Sequence, residues 1–180
     1  MVREVLEIPI VGTVPAIKPA AAITQTGVIG LLGTEATVRQ VYVDKLEAEF
    51  GNGHVLLRHA APGLVAAAEA KLRGEPLNEA TIRAALAGLR HHPRGPELDT
   101  LVLACTHFPL LRDELAAELG DSVRLIDGAE GIARRIASLT EGQTFARSGA
   151  DIAVTTGALD DFRRLAPAFA AHGIDRLEKF

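Results

Sequence analysis

The chain's single cysteine lies in a short sequence that could activate a thiol. Cys105 is followed directly by Thr106 and His107, so a thiol, a hydroxyl and an imidazole occupy consecutive positions. A free thiol titrates near pH ~8.5, and a neighbouring imidazolium or a helix N-terminus lowers that pKa. The pattern therefore indicates a thiol that can exchange protons. The alternative is a small buried hydrophobic side chain, which is the commoner role of a lone cysteine.

The surrounding residues predict where this thiol lies in the fold. The run 100–104 is apolar and uncharged, which favours a strand buried on both faces, and residues 109–119 repeat apolar residues at helical spacing. Cys105 thus falls where a strand ends and a helix begins. Ligands of open α/β sheets bind at that edge, so we expect the Cys105 sulfur to point into a cleft.

Three other polar residues are candidate site residues. Thr34 follows the predicted strand 26–33 in the N-cap position, with Thr37 three residues later. The amides and the two hydroxyls could hold a substrate carboxylate, although a role for Thr34 as a cap alone is the commoner case. Glu69 lies two turns into a predicted helix, 62–72, on an alanine-rich face, where its carboxylate is either solvated or directed into a cleft.

Strand and helix patterns alternate along the whole chain, which predicts an α/β fold with parallel sheets flanked by helices. The predicted strands are 8–14, 26–33, 54–58, 100–104, 123–127 and 152–157. The predicted helices are 15–22, 34–50, 62–72, 79–89, 109–119, 129–139 and 160–171.

Composition excludes several classes of function. A net charge of −4 without any basic run argues against nucleic-acid binding. One cysteine excludes an intramolecular disulfide and fits a reducing compartment, and the six histidines never show the spacing that places two ligands on one helix face. The charged start of the chain and its short apolar runs match neither a signal peptide nor a membrane span. We therefore expect a cytoplasmic protein without a metal site.

Several separated segments together resemble a known family. Residues 103–111, Leu-Ala-Cys-Thr-His-Phe-Pro-Leu-Leu, resemble the second-cysteine signature of the glutamate racemases, in the aspartate/glutamate racemase superfamily, with Ala104 in place of the usual glycine. Residues 11–20 and 27–38 are similar to the segments that lead into and build the second domain of that family. The resemblance covers essentially the whole chain.

Two further segments resemble the same family. Ala61-Pro62 followed by Glu69 is similar to its Ala-Cys-Pro helix with a glutamate seven residues beyond the proline, with Ala61 replacing a cysteine that is not the catalytic one. Val154-Thr155-Thr156-Gly157 with Phe162 is similar to the family's closing segment.

The resemblance also implies a division into domains. Residues 12–126 would form a nearly complete second α/β domain carrying Cys105, and residues 127–180 would be the C-terminal part of the first domain, with apolar surface left exposed. Residues 1–11 would be a remnant of the N-terminal domain, since Val2 to Leu6 looks like the end of a helix. The family's Asp-Ser-Gly and Cys-Asn-Thr segments do not occur in these 180 residues, so we expect the chain to begin after them.

The implied activity is cofactor-independent racemisation of L- and D-glutamate, which supplies D-glutamate for peptidoglycan, cell-wall biogenesis and cell shape. Inversion needs a base on one face of the α-carbon and an acid on the other. By resemblance, Cys105, His107 and Glu69 are catalytic, and the substrate-binding residues are Thr34, Thr37 and Thr106. The opposing thiol would come from outside this chain, so the chain alone is expected to be inactive.

Two other functions stay open on sequence grounds. One is a one-cysteine relative such as an arylmalonate-type decarboxylase, in which a single protonating thiol suffices. The other is a non-catalytic ligand-binding remnant. The expected partner is small-molecule glutamate rather than nucleic acid or membrane, and a homodimer is one candidate assembly.

Overall fold

The structure is a computed structural model that describes residues 8–50, 53–146 and 149–180. The predicted helix end at Val2 to Leu6 lies outside these described residues. Within them, no helix is both long enough and apolar enough to cross a membrane.

Six described strands form two separate parallel sheets. The first sheet has four strands in the order β2-β1-β3-β4, and the second pairs β5 with β6. The central pair β1–β3 is in register from Ile29 opposite Thr100 to Leu32 opposite Leu103. The strands are β1 (Val28–Gly33), β2 (Val55–Ala60), β3 (Thr100–Leu103), β4 (Arg124–Ile126), β5 (Ile152–Thr155) and β6 (Arg176–Lys179).

Helices connect these strands, as parallel pairing requires. The α-helices are α1 (Ile17–Ile23), α2 (Glu35–Val38), α3 (Val41–Phe50), α4 (Gly63–Leu72), α5 (Glu79–Arg90), α6 (Arg112–Leu119), α7 (Ala129–Leu139), α8 (Leu159–Arg163) and α9 (Ala166–Ala170). Two 3-10 turns, Gly95–Glu97 and Phe108–Leu111, flank β3. The α/β class with parallel sheets flanked by helices is confirmed.

The first sheet is covered by helices on both faces, and the side chains of its two central strands are apolar apart from that of Thr100. Alternate residues point to opposite faces. Leu32 and Leu101 belong to a core cluster with residues of α4, α5 and α6, whereas Leu31 and Val102 belong to a second cluster with residues of α1 and α3. All four residues of β3 are buried, so the residues that follow it are held on a rigid base.

Asp99 ties the amino-terminal ends of β1 and β3 together. Its Oδ1 accepts hydrogen bonds from the hydroxyls of Thr24 (2.6 Å) and Thr100 (3.0 Å), and its Oδ2 accepts from the backbone amides of Gln25 (2.6 Å) and Thr26 (3.0 Å). Partial burial opposes ionisation of this carboxyl, but the four hydrogen bonds outweigh burial and lower its pKa. The two strands whose other ends carry the candidate site are thereby fixed to each other.

The predicted strand at 8–14 is wrong, because residues 8–16 form no regular structure. Pro9 and Pro15 bracket the segment, and proline has no backbone amide with which to join a sheet. The first described helix begins at Ile17, later than predicted. Pro19 is tolerated there because amides in the first helical turn lack intrahelical partners.

Three helix or strand predictions also need correction. The predicted helix 34–50 is divided into α2 and α3 at Arg39 and Gln40, and the predicted helix 160–171 is divided into α8 and α9. Thr37, Val38 and Val41 are β-branched, which weakens a continuous helix at the first of these breaks. The prediction missed β6, whose charged residues hide the pattern of a strand.

Residues 127–180 contribute no fully buried side chain among those described. The apolar residues that are most exposed there are Ile136, Phe145, Ile152, Val154 and Phe180. Val102 lies in the four-stranded sheet and Val154 in the two-stranded sheet. The division into domains at residue 126 stays a prediction.

Candidate functional site

The candidate site lies at the carboxyl edge of the four-stranded sheet. Neighbouring parallel strands end side by side there, since Leu32 of β1 is opposite Leu103 of β3. Thr34 follows β1 directly, Cys105 comes two residues after β3, and Asp127 follows β4 directly. Three separate stretches of sequence are thus brought together by strand register alone.

A cavity of about 360 Å³ opens at this edge. Three of the six predicted site residues line it, namely Thr37, Cys105 and Thr106. Its other polar lining residues are Thr13, Gln40 and Asp127. The volume is at the lower end of the range of small-molecule sites, about 300–1,000 Å³, which suits a compact polar metabolite.

The thiol of Cys105 lies beside an imidazole that in turn meets a carboxylate. Cys105 Sγ is 3.9 Å from His107 Nδ1, and His107 Nε2 is 3.3 Å from Glu69 Oε1. Cys105, His107 and Glu69 are all half-buried, and neither His107 nor Glu69 lines the cavity itself. The structure therefore brings these three predicted residues together as a chain, with the thiol nearest to the cavity.

The turn that carries Cys105 is fixed at both ends. The amide of Ala104 donates to the carbonyl of Leu32 at 2.8 Å, and the amide of Phe108 donates to the carbonyl of Cys105 at 3.1 Å. The ring of Phe108 is fully buried in the core. The backbone of Cys105 and His107 is therefore held between two anchored positions.

Thr34 acts as an N-cap and supports Thr37. Thr34 Oγ1 accepts a hydrogen bond from the Thr37 amide at 3.3 Å and lies 3.0 Å from Thr37 Oγ1. A Cβ at Gly33 would lie only 3.1 Å from the Thr37 side chain, so glycine permits this close approach. Thr34 does not line the cavity, whereas Thr37 does. A substrate-binding role for Thr34, Thr37 and Thr106 stays a prediction.

Asp127 also lines this cavity, although it was not among the predicted site residues. Its Oδ1 accepts from the Ala129 amide at 2.9 Å, and its Oδ2 accepts from Arg112 Nη2 at 2.6 Å. Arg112 is itself held by a bond to the carbonyl of Leu125 at 3.0 Å. The signal that could have found Asp127 is its position directly after a strand, which is the same rule that located Cys105.

A larger cavity of about 1030 Å³ adjoins the first one. It lies between the segment that begins at Ile8 and helix α7, and it shares Asp127 and Ile132 with the smaller cavity. The lining of the larger space is predominantly apolar, and its charged residues include Asp127, Glu130, Arg134 and Arg135. The candidate site is therefore open on the side that faces residues 127–139.

Fold and site together define an α/β protein with a thiol, an imidazole and a carboxylate in contact at the carboxyl edge of a parallel sheet. The family profile of the Asp/Glu/hydantoin racemases matches residues 1–136, a range that includes all six predicted site residues. The chain belongs to this family.

Individual relatives agree with this assignment. The chain is 65% identical over 144 residues to a glutamate racemase of Sphingopyxis alaskensis, covering 80% of this chain and 54% of the relative. It is 42% identical over 183 residues to a glutamate racemase of Salmonella typhimurium, covering 98% of this chain and 62% of the relative. The chain thus spans less than two thirds of the length of these curated relatives.

Solved structures show the same likeness. The Escherichia coli glutamate racemase, in complex with L-glutamate and the activator UDP-MurNAc-ala, superposes with a TM-score of 0.89 at 38% identity, over 99% of this chain and 67% of that one. A glutamate racemase isoform of Bacillus anthracis superposes with a TM-score of 0.79 at 27% identity, again over 99% of this chain and 67% of that one.

Proposed function

We propose that this chain supplies one side of a two-base site that inverts the α-carbon of glutamate, with Cys105 as an acid–base group. The observation that carries the proposal is the contact between the Cys105 thiol, at the wall of the cavity of about 360 Å³, and the His107 imidazole. Support for glutamate as substrate comes from the names of the relatives and from the L-glutamate complex of the Escherichia coli structure.

The chemistry assigns proton transfer to Cys105 and His107 and a positioning role to Glu69. As a thiolate, Cys105 removes the α-proton of one enantiomer, and as a thiol it returns a proton to the same face during the reverse reaction. His107 exchanges the proton with Cys105, and Glu69 orients the ring through Nε2. The hydroxyls of Thr37 and Thr106 hold the substrate's polar groups in the cavity.

A second group must act on the opposite face of the α-carbon. The 180 residues contain one cysteine, so an opposing thiol would have to be contributed from outside them. D-glutamate made by such a two-sided site would serve peptidoglycan synthesis and cell shape.

Circular dichroism of L-glutamate tests the proposal directly. The chain is incubated with L-glutamate alone, or together with a polypeptide that comprises the part of the Salmonella relative that this chain does not match. We expect no useful inversion by the chain alone and inversion by the mixture, since lost positioning can cost about 7–11 kcal/mol of barrier. Cys105→Ser should abolish inversion by the mixture, while the exposed loop variant His91→Asn should retain it.

Two results would contradict the proposal. Inversion by the mixture that survives Cys105→Ser would exclude the thiol as an acid–base group. Robust inversion by the chain alone would show that a residue such as Glu69 or a histidine is the second base, and the opposing-thiol requirement would fail.

Location and assembly are further parts of the proposal. We infer a cytoplasmic protein, because a single cysteine fits a reducing compartment, and cell fractionation measures this. A homodimer also stays a prediction, and size-exclusion chromatography with light scattering would measure the molar mass in solution.

A further inference from the structure

We propose that Arg73 is a positioning residue that holds Glu69 against His107 and thereby sets the reactivity of the Cys105 thiol. The proposal rests on the proposed function for its meaning in catalysis. Its test, however, measures the reactivity of the Cys105 thiol, so the proposal can be supported or refuted independently of glutamate inversion.

The carboxylate of Glu69 is shared between two partners. Its Oε1 lies 3.3 Å from His107 Nε2, and its Oε2 lies 3.2 Å from Arg73 Nη1. The Glu69 side chain is 46% exposed, so a single contact at 3.3 Å would leave it free to turn into solvent. Arg73 supplies the second contact, and two contacts fix both oxygens of the carboxylate.

Arg73 is itself held more firmly than a surface arginine. Its Nε and Nη2 donate to the two carboxylate oxygens of Glu75 at 3.0 and 3.5 Å, and its side chain is 25% exposed. Glu75 can face back toward Arg73 because Gly74 between them has a φ of +71°, which favours glycine. Arg164 Nη2 also donates to Glu75 Oε1, at 2.5 Å.

These contacts form a continuous chain of side chains that ends at the thiol. It runs from Arg164 through Glu75, Arg73 and Glu69 to His107 and then Cys105. An imidazole held at Nε2 by a carboxylate presents Nδ1 in a fixed direction, and here that direction is toward the sulfur. Without Arg73, the carboxylate relaxes outward and the ring loses its orientation.

Other charged groups near the site have partners of their own. Asp127, on the same cavity as Cys105, pairs with Arg112 at 2.6 Å, and Lys71 of helix α4 pairs with Glu114 at 2.7 Å. A change at Arg73 therefore reaches the thiol through Glu69 and His107 rather than through these pairs.

The rate of alkylation by iodoacetamide measures the reactivity of the Cys105 thiol directly, because the chain has one cysteine. The rate is measured on the full 180-residue chain from pH 5.5 to 9. We expect Arg73→Met to slow alkylation at pH 7 by about three- to fivefold, in line with the loss of one partly exposed ion pair, and to shift the pH profile upward. Because an unfolded chain would also shift the profile toward that of a free thiol, the far-ultraviolet circular dichroism of each variant is recorded as well.

Arg83 offers a matched control. Arg83 Nη1 contacts Glu79 Oε2 at 3.3 Å, with the same four-residue spacing on a helix as Arg73 and Glu69, but this pair is exposed and does not lead to the thiol. Arg83→Met should leave the alkylation rate unchanged. The alkylation rate of Arg73→Lys should lie between those of wild type and Arg73→Met, because one ammonium group cannot hold the carboxylates of both Glu69 and Glu75.

A double-mutant cycle with Glu69→Gln separates positioning from general destabilisation. If Arg73 acts through Glu69, Arg73→Met should add no further slowing in the Glu69→Gln background. Additive slowing would overturn the proposal, as would an unchanged profile in Arg73→Met with native far-ultraviolet circular dichroism. If Arg73→Met does not fold, the same two criteria apply to Arg73→Lys.

The two proposals fail in different ways. Coupling between Arg73 and the thiol without any glutamate inversion would refute only the proposed reaction. Inversion that depends on Cys105 but not on Arg73, with an unaltered alkylation profile, would refute only the role of Arg73.

Discussion

Removal of the Asp99 carboxylate should destabilise the fold at neutral pH by about 2–4 kcal/mol. Asp99→Ala deletes an acceptor of four hydrogen bonds, two from hydroxyls and two from backbone amides. A hydrogen bond to a charged group contributes about 1.5–3 kcal/mol when buried. The carboxylate is only partly buried, and the amides of Gln25 and Thr26 can be hydrated in the variant. The expected loss in free energy of unfolding is therefore well below the sum for four buried hydrogen bonds.

The effect should depend on pH with a definite sign. The pKa of Asp99 is lowered in the folded state, so its ionised form stabilises the fold above the unfolded-state pKa of about 3.9. That stabilisation is lost as the pH falls through the lower, folded-state pKa. The gap in free energy of unfolding between wild type and Asp99→Ala should therefore narrow as the pH falls below about 3.9.

Urea denaturation at pH 7 and at low pH measures the loss of stability in Asp99→Ala and its dependence on pH. Asp99→Asn keeps one acceptor for the amides while losing the charge, and should cost about 1 kcal/mol. The exposed Asp121→Ala is the control and should change stability by less than about 0.5 kcal/mol. An Asp99→Ala penalty that is the same at both pH values would refute the argument that the charged carboxylate is the stabilising form.

Three other substitutions test packing and capping near the site by the same urea assay. Gly88→Ala should destabilise by about 1–3 kcal/mol, because its Cβ would lie 2.1 Å from the ring of His59; unchanged stability would show that the ring moves freely. Phe108→Ala removes a fully buried ring next to the site and should cost about 3–5 kcal/mol, whereas the neighbouring, partly exposed Leu110→Ala should cost much less. Asn78→Ala removes the side-chain cap on the Ala80 amide and should cost about 1 kcal/mol; no loss would mean that water replaces the cap.

Sequence patterns predicted most of the four-stranded sheet because its strands are short apolar runs bounded by polar or glycine residues. Buried strands such as β1 and β3 leave a clear signal of this kind. The strand β6 did not, since three of its four residues are charged. Its place in a sheet depends on pairing with β5, which lies 20 residues or more earlier. The local sequence of β6 does not indicate this pairing.

The candidate site was predictable only in part. The position of Cys105 after a strand follows from local pattern, and so does the cap at Thr34. The contact between Glu69 and His107 joins positions that are 38 residues apart, and sequence pattern alone gave no reason to prefer it over a solvated Glu69. Arg73 and Asp127 were missed because their relevance depends on tertiary contacts rather than on the spacing of chemical groups.

The order of strands in the four-stranded sheet has a consequence for the rate of folding. The centre of that sheet pairs β1 with β3, and the nearby bond from Thr24 to Asp99 joins positions 75 residues apart. A large closing loop costs chain entropy before any pairing is gained, and a fold dominated by such distant contacts reaches its native state slowly. The turn that carries Cys105 follows β3, so it reaches its final position only when β3 has paired with β1.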